Sequence, residues 1–333
     1  MNSFWNCTFR VLLGNAKDPY GIDTLTEAIL VFCDFLSTYI AIIVIGIAST
    51  LHCMNIANVI ESILNIDELL GVIAKFKLLP LPSFSSFLHA IIVYILKYIF
   101  GHYCIWNITT DIIIIIICML NVQFSNTVRN LKKRFKVLNY SILRLFNAKK
   151  IQNSEVKFIL CSDKINENNI KFHEIVDIHQ QLCKVIQDIC RAFGWQLIVV
   201  MLYYFVQLTL TLYYIYVAFT KSSLSLVKIV AQVNFFILFS TQLINITLPC
   251  HSTSQQASKT AIILSEQLNN PEFKYKREEL LVILEQISYH EKEFSIFGLF
   301  TLNNGIIAST ASGAVMYWAV LTQFQSSDKT GKK

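Results

Sequence analysis

The sequence predicts an all-α fold, a polytopic bundle of transmembrane helices. Two observations carry that reading. Charged residues make up only 15% of the 333, against 54% hydrophobic, where a soluble domain usually carries about 25% charged residues. The apolar residues also fall in long uncharged blocks. Phe294–Ser327, Ala192–Thr220 and Ile229–Ser258 hold no Asp, Glu, Lys or Arg, and each exceeds the roughly 20 residues a helix needs to cross a bilayer.

Six spans follow, at 28–50, 84–101, 105–124, 194–218, 229–248 and 298–324. The first is preceded by residues 1–27, which lack a signal-peptide pattern: Asn2, Ser3, Asn6 and Asp18 lie where a basic and then an apolar region should be. The second and third spans are joined by a tight turn through His102, Tyr103 and Cys104. Loop charge assigns the sides. Loops 51–83, 125–193 and 249–293 (with the two residues up to 295) hold 20 Lys and Arg, and the opposite side holds 7. Without the longest loop the sides tie. The basic loops are therefore placed in the cytoplasm, and both termini outside, with 326–333 as an external tail.

The cytoplasmic segment 125–193 is expected to be largely helical. Val128, Leu131, Phe135, Leu138, Ile142 and Leu145 recur at helical spacing, as do Ile175, Ile178, Leu182, Ile186 and Ile189. Between them, the Asn-rich stretch Gln152–Asn169 reads as a loop. Residues 249–293 read as a linker and a helix, and 294–325 as the last membrane helix.

Chemistry-bearing motifs point away from catalysis. Nine cysteines contain no Cys-x-x-Cys pair. His173-Glu174 is followed by His179, too far along for a His-Glu-x-x-His zinc site. His179 and Cys183 are one turn apart, without further ligands in evidence. No Walker loop, dinucleotide fingerprint or nucleophile elbow occurs. An enzyme, a cofactor and a nucleic-acid partner are therefore not expected; the +6 net charge reads as topology. Sequons at Asn6 and Asn107 fall outside or at the outer interface, and those at Asn139 and Asn245 do not.

The last span ends Tyr317-Trp318-Ala319-Val320-Leu321-Thr322-Gln323-Phe324. This resembles the insect gustatory receptor signature of Thr-Tyr, five mostly apolar residues and Gln-Phe, with Met316 where Thr is usual. Arg134-Phe135-Lys136-Val137-Leu138-Asn139 is similar to the stretch after the family's fourth helix. His179-Gln180-Gln181-Leu182-Cys183 with Phe193-Gly194-Trp195-Gln196-Leu197 resembles the start of its fifth, and Phe294-Ser295-Ile296-Phe297-Gly298-Leu299-Phe300 the start of its seventh.

The resemblance implies a seven-helix chemoreceptor fold, related to that of insect odorant receptors. The six spans then correspond to helices 2–7, and the first helix is absent from this chain. It implies a taste receptor in the plasma membrane, a ligand-gated non-selective cation channel, assembled as a homo- or hetero-tetramer with other gustatory receptors. The last helix of each subunit would line the pore. Members of the sugar-receptor subfamily carry Glu after the signature Tyr; Trp318 stands there, so a non-sugar small-molecule tastant is expected. A truncated, non-conducting receptor is the alternative. A G-protein-coupled receptor is a weaker one, since the only Asn-Pro, Asn270-Pro271, lies in a basic loop.

Residues follow from these expectations. Tyr317, Val320, Gln323 and Phe324 are assigned to pore and gate: an amide ring can replace part of an ion's hydration, and an apolar ring can gate by dewetting. Gly305, Ser309 and Gly313 recur every four residues, a small face suited to close helix packing. Trp106, Tyr203, Tyr204, Gln207, Gln232 and Asn234 are ligand-pocket candidates, aromatic and amide groups in apolar surroundings, with Tyr213 and Tyr214 beside them. Asp34, Lys97 and Asp111 are charges inside spans. Lys97 and Asp111 either pair in the outer leaflet, or Lys97 snorkels to the headgroups.

Overall fold

The computed structural model describes residues 25–51, 53–70, 105–146, 172–220, 226–268 and 277–330. These form seven helices and one hairpin. In order they are α1 (Leu25–Leu51), α2 (Cys53–Leu69), α3 (Ile105–Phe146), α4 (Phe172–Thr220), α5 (Leu226–Leu268), α6 (Arg277–Tyr289), β1 (Ser295–Ile296), β2 (Phe300–Thr301) and α7 (Asn304–Thr330). The span expected at 84–101, the turn after it and the Asn-rich loop lie outside the described residues.

Helices α4, α5 and α7 are long and apolar enough to cross a membrane, and α1 carries a shorter apolar run, Phe32–Ile47. On α1 the residues Ile29, Phe32, Leu36, Ile40, Ile43 and Ile47 are exposed. Steps of three and four place them on one stripe. Leu30, Thr38, Ala41 and Ile45 are buried on the other side.

Helices α3, α4 and α5 have 42, 49 and 43 residues. At roughly 1.5 Å per residue they run about 60–75 Å, twice the hydrocarbon thickness of about 30 Å. Their charged halves must project into water. There the predicted apolar faces meet: Val128, Leu131, Phe135, Leu138 and Ile142 of α3 pack in one core with Ile175, Ile178, Leu182, Ile186 and Ile189 of α4. Ile63 and Ile66 of α2, Leu264 of α5 and Leu280, Ile283 and Ile287 of α6 complete it. In water each such side chain contributes about 1.5–3 kcal/mol by burial, so this extramembrane core is held by the ordinary hydrophobic effect.

The Arg134–Asn139 stretch is the cross-link of this core. Arg134 forms a buried ion pair with Asp67 of α2 and donates to the Asn130 carbonyl at 2.8 Å. Phe135 and Leu138 are fully buried. Asn139 donates to the Gln256 carbonyl at 2.9 Å and accepts from the Thr260 hydroxyl at 2.7 Å, tying α3 to α5.

Two boundaries differ from the sequence expectation. Helix α5 does not end at 248 but runs through Pro249 to Leu268. The proline removes one backbone bond there; on either side of it Thr247 donates to the Leu243 carbonyl and Thr253 to that of Pro249, at 2.9 and 2.7 Å. Thr253 also reaches the Val128 carbonyl at 3.3 Å. The last helix begins at Asn304, not 298. Residues before it form the antiparallel β1–β2 hairpin, with Ile296 opposite Phe300. Its turn needs Phe297 and Gly298 at φ 48° and 71°, a left-handed backbone natural to glycine and uncommon for phenylalanine. Asn303 then caps α7, its Oδ1 accepting from the Gly305 amide at 2.8 Å.

Candidate functional site

Helix α7 is the least buried of the apolar helices. Contact with α4 is made along one narrow edge. A Cβ on Gly313 would lie 2.9 Å from the Phe205 ring, so this glycine permits the approach. Tyr317, one turn on, meets the same ring edge-on with centroids 5.7 Å apart. Trp318 turns inward to Tyr216 at 6.2 Å and packs with Leu30, Leu210 and Tyr213.

The face of α7 turned away from α4, α5 and α1 is open. Gly305, Ala308, Ser309, Ser312, Val315, Met316, Val320, Gln323 and Phe324 are exposed. Ser309 donates to the Gly305 carbonyl at 3.1 Å, which satisfies the hydroxyl without a second helix. So Gly305 and Ser309 lie on the open face, while Gly313 and Tyr317 sit at its seam with α4. Val320, Gln323 and Phe324 continue the open face toward the C-terminus.

Of the charges expected inside spans, Asp34 is brought to Gln207: the amide Nε2 donates to Oδ1 at 2.6 Å. Ser37 and Thr38 hydroxyls donate to the Asp34 carbonyl at 2.9 and 2.8 Å. Lys97 lies outside the described residues, and so do the side chains of Asp111 and Trp106; the expected Lys97–Asp111 pair falls there too.

The pocket candidates point in several directions. Gln207 faces α1. Tyr203 and Tyr204 are buried against Phe239 of α5, each with centroids 6.0 Å apart. Asn234 donates to the Val230 carbonyl of its own helix at 2.9 Å, and Gln232 is half-buried nearby. Tyr213 is buried edge-on to Tyr214, 5.9 Å away.

A polar knot that sequence reasoning missed lies at Tyr204. Asn121 of α3 donates Nδ2 to the Tyr204 hydroxyl and, at 3.4 Å, to Gln242 Oε1 of α5. Two amides within apolar runs were the available signal, since buried amides require partners. Beside it, Ile114, Cys118, Leu238 and Gln242 line a gap too tight for water.

Two of the resembling stretches, a hundred residues apart, meet in space. Trp195 packs on Phe297 with centroids 5.2 Å apart, and a Cβ on Gly194 would come within 2.7 Å of that ring. The hairpin that starts α7 therefore rests on the start of the α4 span.

Below the membrane portion, His179 is fully buried. Its Nε2 lies 3.4 Å from the Ala257 carbonyl and its Nδ1 3.7 Å from Cys183 Sγ; the His290 ring stacks at 5.8 Å. Burial pushes this imidazole down to about 4, against the pull of the Ala257 carbonyl and with help from Lys292 and His290. Burial pushes the Cys183 thiol up to about 12. Neither group is a reactive one; both read as packing.

A family model described as 7tm chemosensory receptor matches residues 18–328. No curated protein matches the chain. Among solved structures, the chain is similar to the insect olfactory receptor OR5 from Machilis hrabei, with a TM-score of 0.52 and 12% identity over 96% of this chain and 85% of that one. It is similar also to the same receptor in complex with eugenol, with a TM-score of 0.54 and 13% identity over 97% and 86%. Likeness at this identity establishes a shared fold.

Proposed function

The chain belongs to the 7tm chemosensory receptor family, and from that premise we propose that it is a gustatory receptor, a ligand-gated non-selective cation channel for non-sugar tastants. The observation that carries the reading is the open face of α7. A helix of 27 residues crosses the bilayer with one side on α4, α5 and α1 and its small and apolar stripe uncovered. Lipid supplies no hydrophobic drive for helices to associate, so small residues mark where backbones come close. Four copies around an axis would cover that stripe.

In the assembly, Gln323 side chains form an amide ring and Phe324 an apolar one, near the outer end of the path. Basic loops face the cytoplasm and the C-terminus faces outward. Chemosensory neurons carry the tetramer in the plasma membrane, alone or with other gustatory receptors. The solved complex of a relative with eugenol supports a small organic ligand.

Patch-clamp recording of the expressed chain, alone and with co-receptors, tests the proposal. Ligand-evoked cation currents whose reversal potential shifts in Gln323→Ala are expected. An epitope after Phe324 should be reachable in unpermeabilised cells; labelling only after permeabilisation would overturn the topology and the pore with it.

A further inference from the structure

A cavity of about 580 Å³ opens between α2 and α4 in the extramembrane half of the molecule. Asn55, Asn58, Ser62 and Asn65 line its α2 wall. Gln181, Lys184, Asp188 and Arg191 line the α4 wall. Both rows step by three, four and three, so each is one polar stripe along its helix. A volume of that order is typical of small-molecule sites.

The two walls differ in chemistry. The α2 wall is uncharged, and its amides both donate and accept, which suits a ring of hydroxyls. The α4 wall carries two cations and one carboxylate. Asp188 accepts from Arg191 at 3.5 Å, and the Arg191 side chain stays 70% exposed. Lys184 has no ion-pair partner among the described residues. The wall is therefore net positive. Guanidinium and ammonium groups seven residues apart are about 10 Å apart along the axis, and long side chains can close on two phosphates of one ring.

Position adds to this. Arg191 lies three residues before Gly194, where the apolar span of α4 begins. That is about 5 Å along the helix, the depth of the headgroups. Lys184 lies deeper in water.

We propose that this cleft binds a phosphorylated polyol: the headgroup of a phosphoinositide in the facing leaflet, or a soluble inositol phosphate. The lipid source rests on the basic half being cytoplasmic, as proposed above. The soluble source does not depend on sidedness.

The test uses the full chain, purified in detergent and in nanodiscs. Inositol trisphosphate is titrated into the detergent sample, and binding is read by microscale thermophoresis. In the second arm, nanodiscs with and without phosphatidylinositol bisphosphate are compared for retained lipid by native mass spectrometry. Saturable binding in either arm, weakened about tenfold or more in Lys184→Gln/Arg191→Gln, is expected. The arm that binds names the source. Both exchanged residues are exposed, so the variant folds. A control pair, Lys259→Gln/Arg277→Gln, removes two exposed cations elsewhere and should bind as wild type. No binding in both arms, an undiminished variant or an equal loss in the control pair would overturn the site. Failure of the channel recordings alone would leave the detergent arm standing.

Discussion

Gln207 of α4 donates to the Asp34 carboxylate of α1 across 2.6 Å, joining two apolar helices through the one carboxylate of α1's apolar run. A charge there is costly, and a hydrogen bond to it is worth about 1.5–3 kcal/mol. Gln207→Leu should lower the melting temperature of the solubilised chain, followed by fluorescence-detected size exclusion. Gln207→Glu should do so further, by setting like charges together. Asp34→Asn keeps an acceptor and should be the mildest of the three. A Gln207→Leu protein that melts as wild type would mean the pair contributes nothing.

The Arg134–Asp67 pair is of another kind. Both side chains are over nine-tenths buried, outside the span region. Removing one partner strands the other charge, at about 3–5 kcal/mol, whereas an apolar replacement of both can be nearly neutral. Arg134→Met and Asp67→Leu should each reduce folded yield and melting temperature sharply. The double variant should recover most of the loss. Additive single effects would contradict a direct pair.

His179 gives a pH signature. Its folded pKa, about 4, lies below the ordinary 6.5, so the unfolded chain binds the extra proton first. The neutral ring's advantage is complete above about pH 6.5 and is lost progressively as pH falls toward 4, on the order of 3 kcal/mol in all. His179→Phe should flatten the stability profile between those limits. An unchanged slope would show that other groups set it.

How far the sequence carried the fold depends on whether a feature is local. The faces Val128–Ile142 and Ile175–Ile189 were legible because burial repeats with the helix period. Arg134, Phe135, Leu138 and Asn139 were legible as a resembling stretch, though not as a cross-link, since Asp67 and Thr260 are chosen by tertiary packing. Continuation of α5 through Pro249 was not legible: proline reads as a stop, yet Leu243, Ile246, Cys250 and Ala257 on either side of it are buried in one core. The β1–β2 hairpin hid inside an uncharged block that looks like membrane helix, with Gly298 its one local sign. Among the site residues, sequence placed Gln207 and Tyr204 as polar groups in apolar runs but assigned both to one pocket. Their partners, Asp34 and Asn121, lie on different helices, and no spacing rule reports that.

Gly194 and Phe297 offer the sharpest test of how the base of α7 is fixed to α4. In an isolated helix, alanine is favoured over glycine by about 1 kcal/mol. Here the added methyl would lie 2.7 Å from the Phe297 ring. That ring is half exposed and packs on Trp195, so making room for the methyl means turning the ring off Trp195; overpacking of this sort costs about 1–3 kcal/mol. Gly194→Ala should therefore destabilise the wild-type background. In Phe297→Ala the obstruction is gone, and the same exchange should raise the melting temperature. The reversal of sign is the measurement that matters. If Gly194→Ala shifts the melting temperature equally in both backgrounds, the hairpin does not press on α4, and the start of α7 must be positioned by other contacts.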